Sequence, residues 1–342
     1  MPVTLWLTAD TAWEEAMTKF SRRHVLAGAA SLVAMPNVTR AQDAWPSREI
    51  RAICGFPPGS GADIFVRYYA KKFQDVIGKT VIVENKPGAF GNISTEYVAR
   101  SRPDGYTLFI APGSSYLAAS PSLFKKLSFD PVNDFEHVTT LAKNTFILAV
   151  AGDGPFKTVP LLVAHLKEQG DKANYGSLAN TGLIASELFK AHFGLNTVEV
   201  KYKELAGALN DLANKNLAFI HVDPTSGAAH FKSGRLIPLA TASAERFAAF
   251  SEIPSAKEAG IANSDLIGWW SVHMPKGTPQ LMLAKLESSF NQIAASDETK
   301  EFLMKFGGDP FPGNSKMLKE LLIKDTKLWA DYVKLAKIEP LA

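Results

Sequence analysis

The chain has 342 residues, 46% apolar and 21% charged, with 37 basic against 34 acidic side chains and a net charge of +3. That is a globular composition, long enough for two α/β domains. It holds no basic surplus to neutralise phosphates, so no nucleic-acid partner is expected. The lone cysteine, Cys54, excludes an intramolecular disulfide framework and a cysteine-built metal site, and no apolar run reaches the ~18 residues that a bilayer core requires.

Residues 1–41 read as an export address. Arg22-Arg23, the apolar stretch 25–33 and a small-residue site ending at Ala41 make an n-region, an h-region and a cleavage point. Ser21-Arg22-Arg23-His24-Val25-Leu26 resembles a twin-arginine signal, and Met17 is a candidate start. The alternative is a buried N-terminal helix with two incidental arginines. The address implies a bacterial periplasm.

Short apolar runs then alternate with amphipathic patterns, which predicts α/β layers. Residues 50–56 suit a strand, with Ile50, Ala52, Cys54 and Phe56 on one face. A helix opens at Asp63 or the glycine before it and ends at Gly78, with Phe65, Tyr69 and Phe73 on its apolar side. Strands over 80–83 and 106–111 flank a glycine loop (85–92), a helix (93–100) and a Pro-Asp-Gly turn. A connection near residue 150 separates two regions, one built of 45–148 plus 267–342 and the other of 149–266. In the second, strands over 174–176, 198–202, 218–221 and 237–242 alternate with helices over 161–169, 183–193, 205–212 and 226–233. Residues 267–273 return as a strand. The tail reads as helices over 280–295, 299–306 and 315–338, with Ser315 as N-cap of the last.

Several chemistries are absent. Gly59-x-Gly61 has Ile64 where a dinucleotide loop needs its third glycine, and Gly78-Lys79-Thr80 has Phe73 where a phosphate loop needs its first. There is no G-x-S-x-G, and the seven histidines lack HExxH spacing. No cofactor, metal or catalytic residue is therefore expected.

Three loops share a strand–small-residue–helix design: 57–63, 87–92 and 177–182. A helix start offers free backbone N–H groups and partial positive charge, so it holds an anion without a basic side chain. Two such loops facing across a cleft suit a dicarboxylate. Each loop is equally readable as a turn with a cap, and Asp63 as a structural first-turn acid.

The stretches 45–73 and 76–112, with VENKPGAFGN and PDGYTL, resemble the N-terminal half of the substrate-binding proteins of tripartite tricarboxylate transporters, the Bordetella uptake gene family. Residues 234–260 and 269–290 continue the likeness. The resemblance implies a type II periplasmic binding protein, two α/β lobes joined by two crossover strands with a ligand cleft between them. It implies a monomeric, non-enzymatic receptor for a small organic carboxylate, serving a large and a small membrane subunit. Carried over by position, the first-lobe site comprises Pro58, Gly59, Ser60, Gly61, Ala62 and Asp63, with Gly88, Ala89, Ser114 and Ser115. The second-lobe site comprises Ser177, Asn180, Thr181, Gly182, Asp223, Thr225 and Ser226. The family's Gly-x-Gly-Ser loop with a following His-Leu is here ANTGLIASELF, and its Pro-Tyr-Lys-Gly is Lys201-Tyr202-Lys203-Glu204. Both departures fall in the second lobe and bear on ligand identity. A C4–C6 dicarboxylate is favoured, with an aromatic carboxylate second. Trp269 and Trp270 either stack on such a ring or pack the hinge. The competing readings are a secreted α/β enzyme assembled from distant residues and a receptor for a signalling partner.

Overall fold

A computed structural model describes residues 45–341, apart from Leu178, Ala179, Lys203 and Asn263. Of Asn180 and Thr225 only the backbone is described. The export segment and its cleavage point lie outside the described residues.

The first lobe is built on a six-stranded sheet. Strand β1 (Ile50–Cys54) leads to helix α1 (Gly61–Ile77), β2 (Val81–Asn85), α2 (Asn92–Ala99) and β3 (Thr107–Pro112). A π-turn (Ser114–Ala118) and a short α3 (Ser120–Leu123) precede β4 (Phe135–Thr145). After the second lobe the chain returns as β10 (Ile267–Pro275), α8 (Gln280–Ala295), α9 (Asp297–Phe306), β11 (Gly308–Pro310) and α10 (Ser315–Leu335). The strand order is β11-β4-β10-β3-β1-β2, with β1 parallel to β2 and β3, and β10 antiparallel to β3 and β4. Ile50, Ala52, Ile53 and Cys54 are all buried, as expected of a strand covered on both faces. Helix α1 buries Phe65, Val66, Tyr69, Ala70 and Phe73 along one stripe and ends at Gly78, whose φ of 66° lets its N–H reach the Gln74 carbonyl.

The second lobe repeats the plan on five strands. It contains β5 (Ile147–Ala151), α4 (Val159–Gln169), β6 (Asn174–Ser177), α5 (Asn180–Phe193), β7 (Val198–Lys201), α6 (Leu205–Ala213), β8 (Phe219–Val222), α7 (Pro224–Lys232) and β9 (Leu236–Thr241). Its order is β7-β6-β8-β5-β9. Leu148, Val150, Leu162, Leu166, Tyr175, Phe189 and Phe219 form its core.

The chain crosses between sheets at Phe146 and returns between β9 and β10. At the crossing the Ala242 amide donates to the Phe146 carbonyl (2.7 Å), the Leu266 amide to the Ala242 carbonyl (2.8 Å), and the Thr145 hydroxyl to the Leu266 carbonyl (3.1 Å). The passage thus lies two residues before the expected 148/149 boundary, because Ile147 and Leu148 already pair with β8 and β9. Strand β4 was not foreseen. Its sequence FEHVTTLAKNT lacks apolar alternation, yet His137, Thr139, Thr140 and Thr145 are buried in mid-sheet. The last helix is capped by Asn314, which accepts the Met317 amide, and not by Ser315; it ends at Leu335, short of residue 338.

Candidate functional site

A cavity of about 330 Å³ opens between the carboxyl ends of the two sheets, where an α/β fold presents its ligand loops. The first lobe contributes Phe56, Gly61, Ala62, Phe65, Ser114 and Ser115, and the second Thr181, Asp223 and Ser226. The crossing strands contribute Asn144, Phe146, Gly268 and Trp270, and the tail Leu303, Phe306 and Gly308.

The first-lobe edge is set by the start of α1. The Ser60 hydroxyl caps the helix by accepting the Asp63 amide (3.2 Å), and the Ile64 amide bonds back to the Ser60 carbonyl (3.0 Å). Gly61 and Ala62, whose first-turn amides have no helical acceptor, are among the residues that line the cavity. Asp63 is 2% exposed and does not line it. Its carboxylate accepts the Gly59 amide (2.8 Å), Arg67 Nε (2.8 Å) and Asn85 Nδ2 (2.7 Å). Burial alone would raise this carboxyl, but the bonds from Arg67, Asn85 and Gly59 outweigh it and hold it below the usual carboxylate range. Asp63 is thus a brace behind the loop. Pro58, Gly59 and Ser60 form that loop, outside the cavity lining; Gly59 has φ 80°, a conformation that suits glycine.

Other expected residues are placed elsewhere. Gly88 and Ala89 lie in an exposed turn with φ 127° and 47° and do not reach the cavity. Ser177 borders a separate cavity of about 470 Å³ on the far side of α5, where its hydroxyl donates to Glu199 (2.5 Å). Gly182 sits where α5 meets β8: a Cβ there would come within 2.9 Å of the His221 carbonyl. Ser114, Ser115, Thr181, Asp223 and Ser226 converge with Gly61 and Ala62. Asp223 caps α7 by accepting the Ser226 amide (3.0 Å), and the Ser114 hydroxyl accepts the Trp269 amide (3.2 Å).

The two tryptophans diverge, because neighbours on a strand face opposite ways. Trp269 is 1% exposed and donates through Nε1 to Asp325 (2.5 Å), whereas Trp270 lines the cavity against Phe65. Lys143 alternates with Ala142 and Asn144 on β4, and its Nζ lies over the rings of Phe247 (5.3 Å) and Phe311 (6.0 Å). It is the only Lys or Arg among the described lining residues. Sequence reasoning missed Phe56, Asn144, Phe146, Leu303 and Phe306. Phe65 was visible only as one of an apolar helical stripe.

Buried histidines lie in the strands of both sheets. His221 donates to or accepts from Ser186 Oγ (3.0 Å), and burial pushes it down to about 3. His137 and His273 meet Nδ1 to Nδ1 at 3.0 Å, both lowered by burial. With both rings neutral, Ser271 Oγ donates to His273 Nε2 (2.6 Å), His273 Nδ1 to His137, and His137 Nε2 to the Val132 carbonyl (3.1 Å). Among the described residues no group of three His, Cys, Asp or Glu side chains could hold a metal ion, and no helix is long and apolar enough to cross a membrane.

The sequence and fold match known proteins. Residues 65–337 match the family model described as the tripartite tricarboxylate transporter family receptor. A UPF0065 protein of Bordetella bronchiseptica is 31% identical, over 83% of this chain and 85% of its own. BugT of Bordetella pertussis is 27% identical, over 85% and 90%. Among solved structures, Rpa4515 of R. palustris, described with adipate, has 28% identity and a TM-score of 0.77, covering 87% of this chain and 100% of its own. The periplasmic binding protein BugD has 26% identity and a TM-score of 0.74, covering 87% and 100%. With the two-lobed architecture and the interlobe cleft, these matches establish that the chain belongs to the receptor family of the tripartite tricarboxylate transporters.

Proposed function

We propose that this chain is a periplasmic solute receptor. It captures a small organic carboxylate in the interlobe cleft by lobe closure, without turning it over, and delivers it to the large and small membrane subunits of a tripartite tricarboxylate-type transporter. One observation carries the reading: Gly61 and Ala62, first-turn residues of α1 whose amides have no helical acceptor, line one cavity with Thr181, Asp223 and Ser226 of the other lobe. Such donors are fixed before the ligand arrives, so they stabilise a carboxylate with little reorganisation. The adipate named with Rpa4515 supports an organic acid of this size. C4–C6 dicarboxylates and single-ring aryl carboxylates both fall within it.

The test is a thermal-shift screen of organic acids followed by calorimetry and small-angle scattering. A ligand at 100 times its Kd stabilises the native state by about 2.7 kcal/mol. The expected result is a saturable rise in Tm with a smaller radius of gyration and the acid recovered unchanged. Chemical conversion of the acid, or no shift with any acid, overturns the proposal.

A further inference from the structure

We infer that the acid this cleft takes is a monocyclic aryl carboxylate, its carboxylate at the amides of Gly61 and Ala62 and its ring against Trp270. The inference rests on reading the cleft as a carboxylate site.

Gly61 and Phe65 are four residues apart on α1, so both face the cavity from one side of the helix. An anion-binding edge and an apolar ring are therefore joined on one rigid element. The Phe65 ring meets Trp270 at 4.2 Å between centroids, with a 31° tilt, and Phe306 at 5.8 Å. Phe56 adds a further ring 6.1 Å from Trp270 and is itself stacked on Tyr116 at 5.3 Å. Phe65 is 2% exposed and fixed in place, while Trp270 and Phe306 are half-buried and border the cavity. The wall is thus aromatic and preformed, and a planar ring can stack on it with little ordering of side chains.

The charged side chains among the described lining residues are Lys143 and Asp223, one of each sign, and the Lys143 ammonium also sits over Phe247 and Phe311. A second carboxylate would lose its water for a lining with no net positive charge, which is unfavourable. A single carboxylate on an apolar ring needs one anion-binding edge and one stacking face. The cavity, at about 330 Å³, lies at the small end of ligand sites and suits one ring.

The experiment titrates benzoate, phenylacetate, succinate and adipate into the protein and into Trp270→Leu by calorimetry, with tryptophan fluorescence as a second readout. The expected result is that an aryl acid binds at least tenfold tighter than either aliphatic acid and quenches fluorescence. Trp270→Leu should weaken the aryl acid at least tenfold, and by a larger factor than it weakens either aliphatic acid. Tighter aliphatic binding, or an equal loss for both classes in the variant, overturns the inference and leaves the carboxylate reading standing. Binding of none of the four acids overturns the carboxylate reading itself. Phe306→Leu provides the same comparison if Trp270→Leu does not fold.

Discussion

The Asp63 carboxylate accepts the Gly59 amide at 2.8 Å, so the loop entering α1 is tied back onto its own helix. The same oxygen takes Arg67 Nε, and the other takes Asn85 Nδ2, which also reaches the Phe56 carbonyl (2.9 Å). One buried acid thus fixes the positions of Phe56, Gly59 and the first turn of α1. Asp63→Ala is expected to cost about 2 kcal/mol of stability, since the donors at Gly59, Arg67 and Asn85 lose a buried, charged acceptor. It should also weaken acid binding, although Asp63 does not line the cleft. Urea unfolding and calorimetry on the same variant check both effects. Unchanged affinity in a folded but destabilised Asp63→Ala would show that the first turn keeps its geometry without the brace.

Stability should fall on mild acidification. His221 has its pKa depressed to about 3 by burial, against an unfolded value of about 6.5. A depressed pKa means that the unfolded chain binds the proton first. The stabilisation is complete above about pH 6.5 and is lost as pH falls toward the folded value. At pH 5 the loss from His221 alone is about 2 kcal/mol. His137 and His273 act in the same direction. Asp63, also lowered, loses its contribution only below the ordinary carboxylate range near pH 4. Urea midpoints at pH 7.5, 6 and 5 should therefore decline, with a shallower decline in His221→Gln. A flat profile over that window would refute the neutral buried state of these rings.

Gly113, at the end of β3, has no room for a side chain. A Cβ there would lie 1.9 Å from Trp269 Cζ3 and 2.5 Å from Ser271 Oγ. Gly113→Ala is expected to lower stability by about 1–3 kcal/mol through overpacking. A thermal melt showing no loss would mean that Trp269 can shift without penalty.

Trp269→Phe isolates the indole bond to Asp325, whose carboxyl is raised by burial although the Trp269 bond pulls the other way. Loss of that donor should raise the Asp325 pKa further and cost about 1–3 kcal/mol. The carboxyl pKa followed by NMR reads the shift directly. An unmoved pKa would show that the indole contributes nothing to the charged form.

The layered plan was legible because β1, α1 and their second-lobe counterparts carry unmixed periodic patterns. The loop at 57–63 was legible as a helix start for the same reason, and the capping Ser60 and the acid at Asp63 confirm its local chemistry. Strand β4 was not legible: its burial comes from lying between β10 and β11, neighbours distant in sequence. The aromatic wall was hidden in the same way. Phe56 and Phe65 flank one loop, but Trp270 and Phe306 come from segments much later in the chain, and only the tertiary fold brings them together. Ser177 followed the loop pattern but is turned away from the cleft toward Glu199.

The links among Phe146, Ala242 and Leu266 leave the two crossings no independence. Relative rotation of the lobes must pivot there, and a point's travel grows with its distance from the pivot. Strands β2 and β7 lie at the sheet edges remote from β4 and β5, so reporter pairs for double electron–electron resonance belong there and not beside Phe146. A fluorophore at the pivot would report such a rotation least.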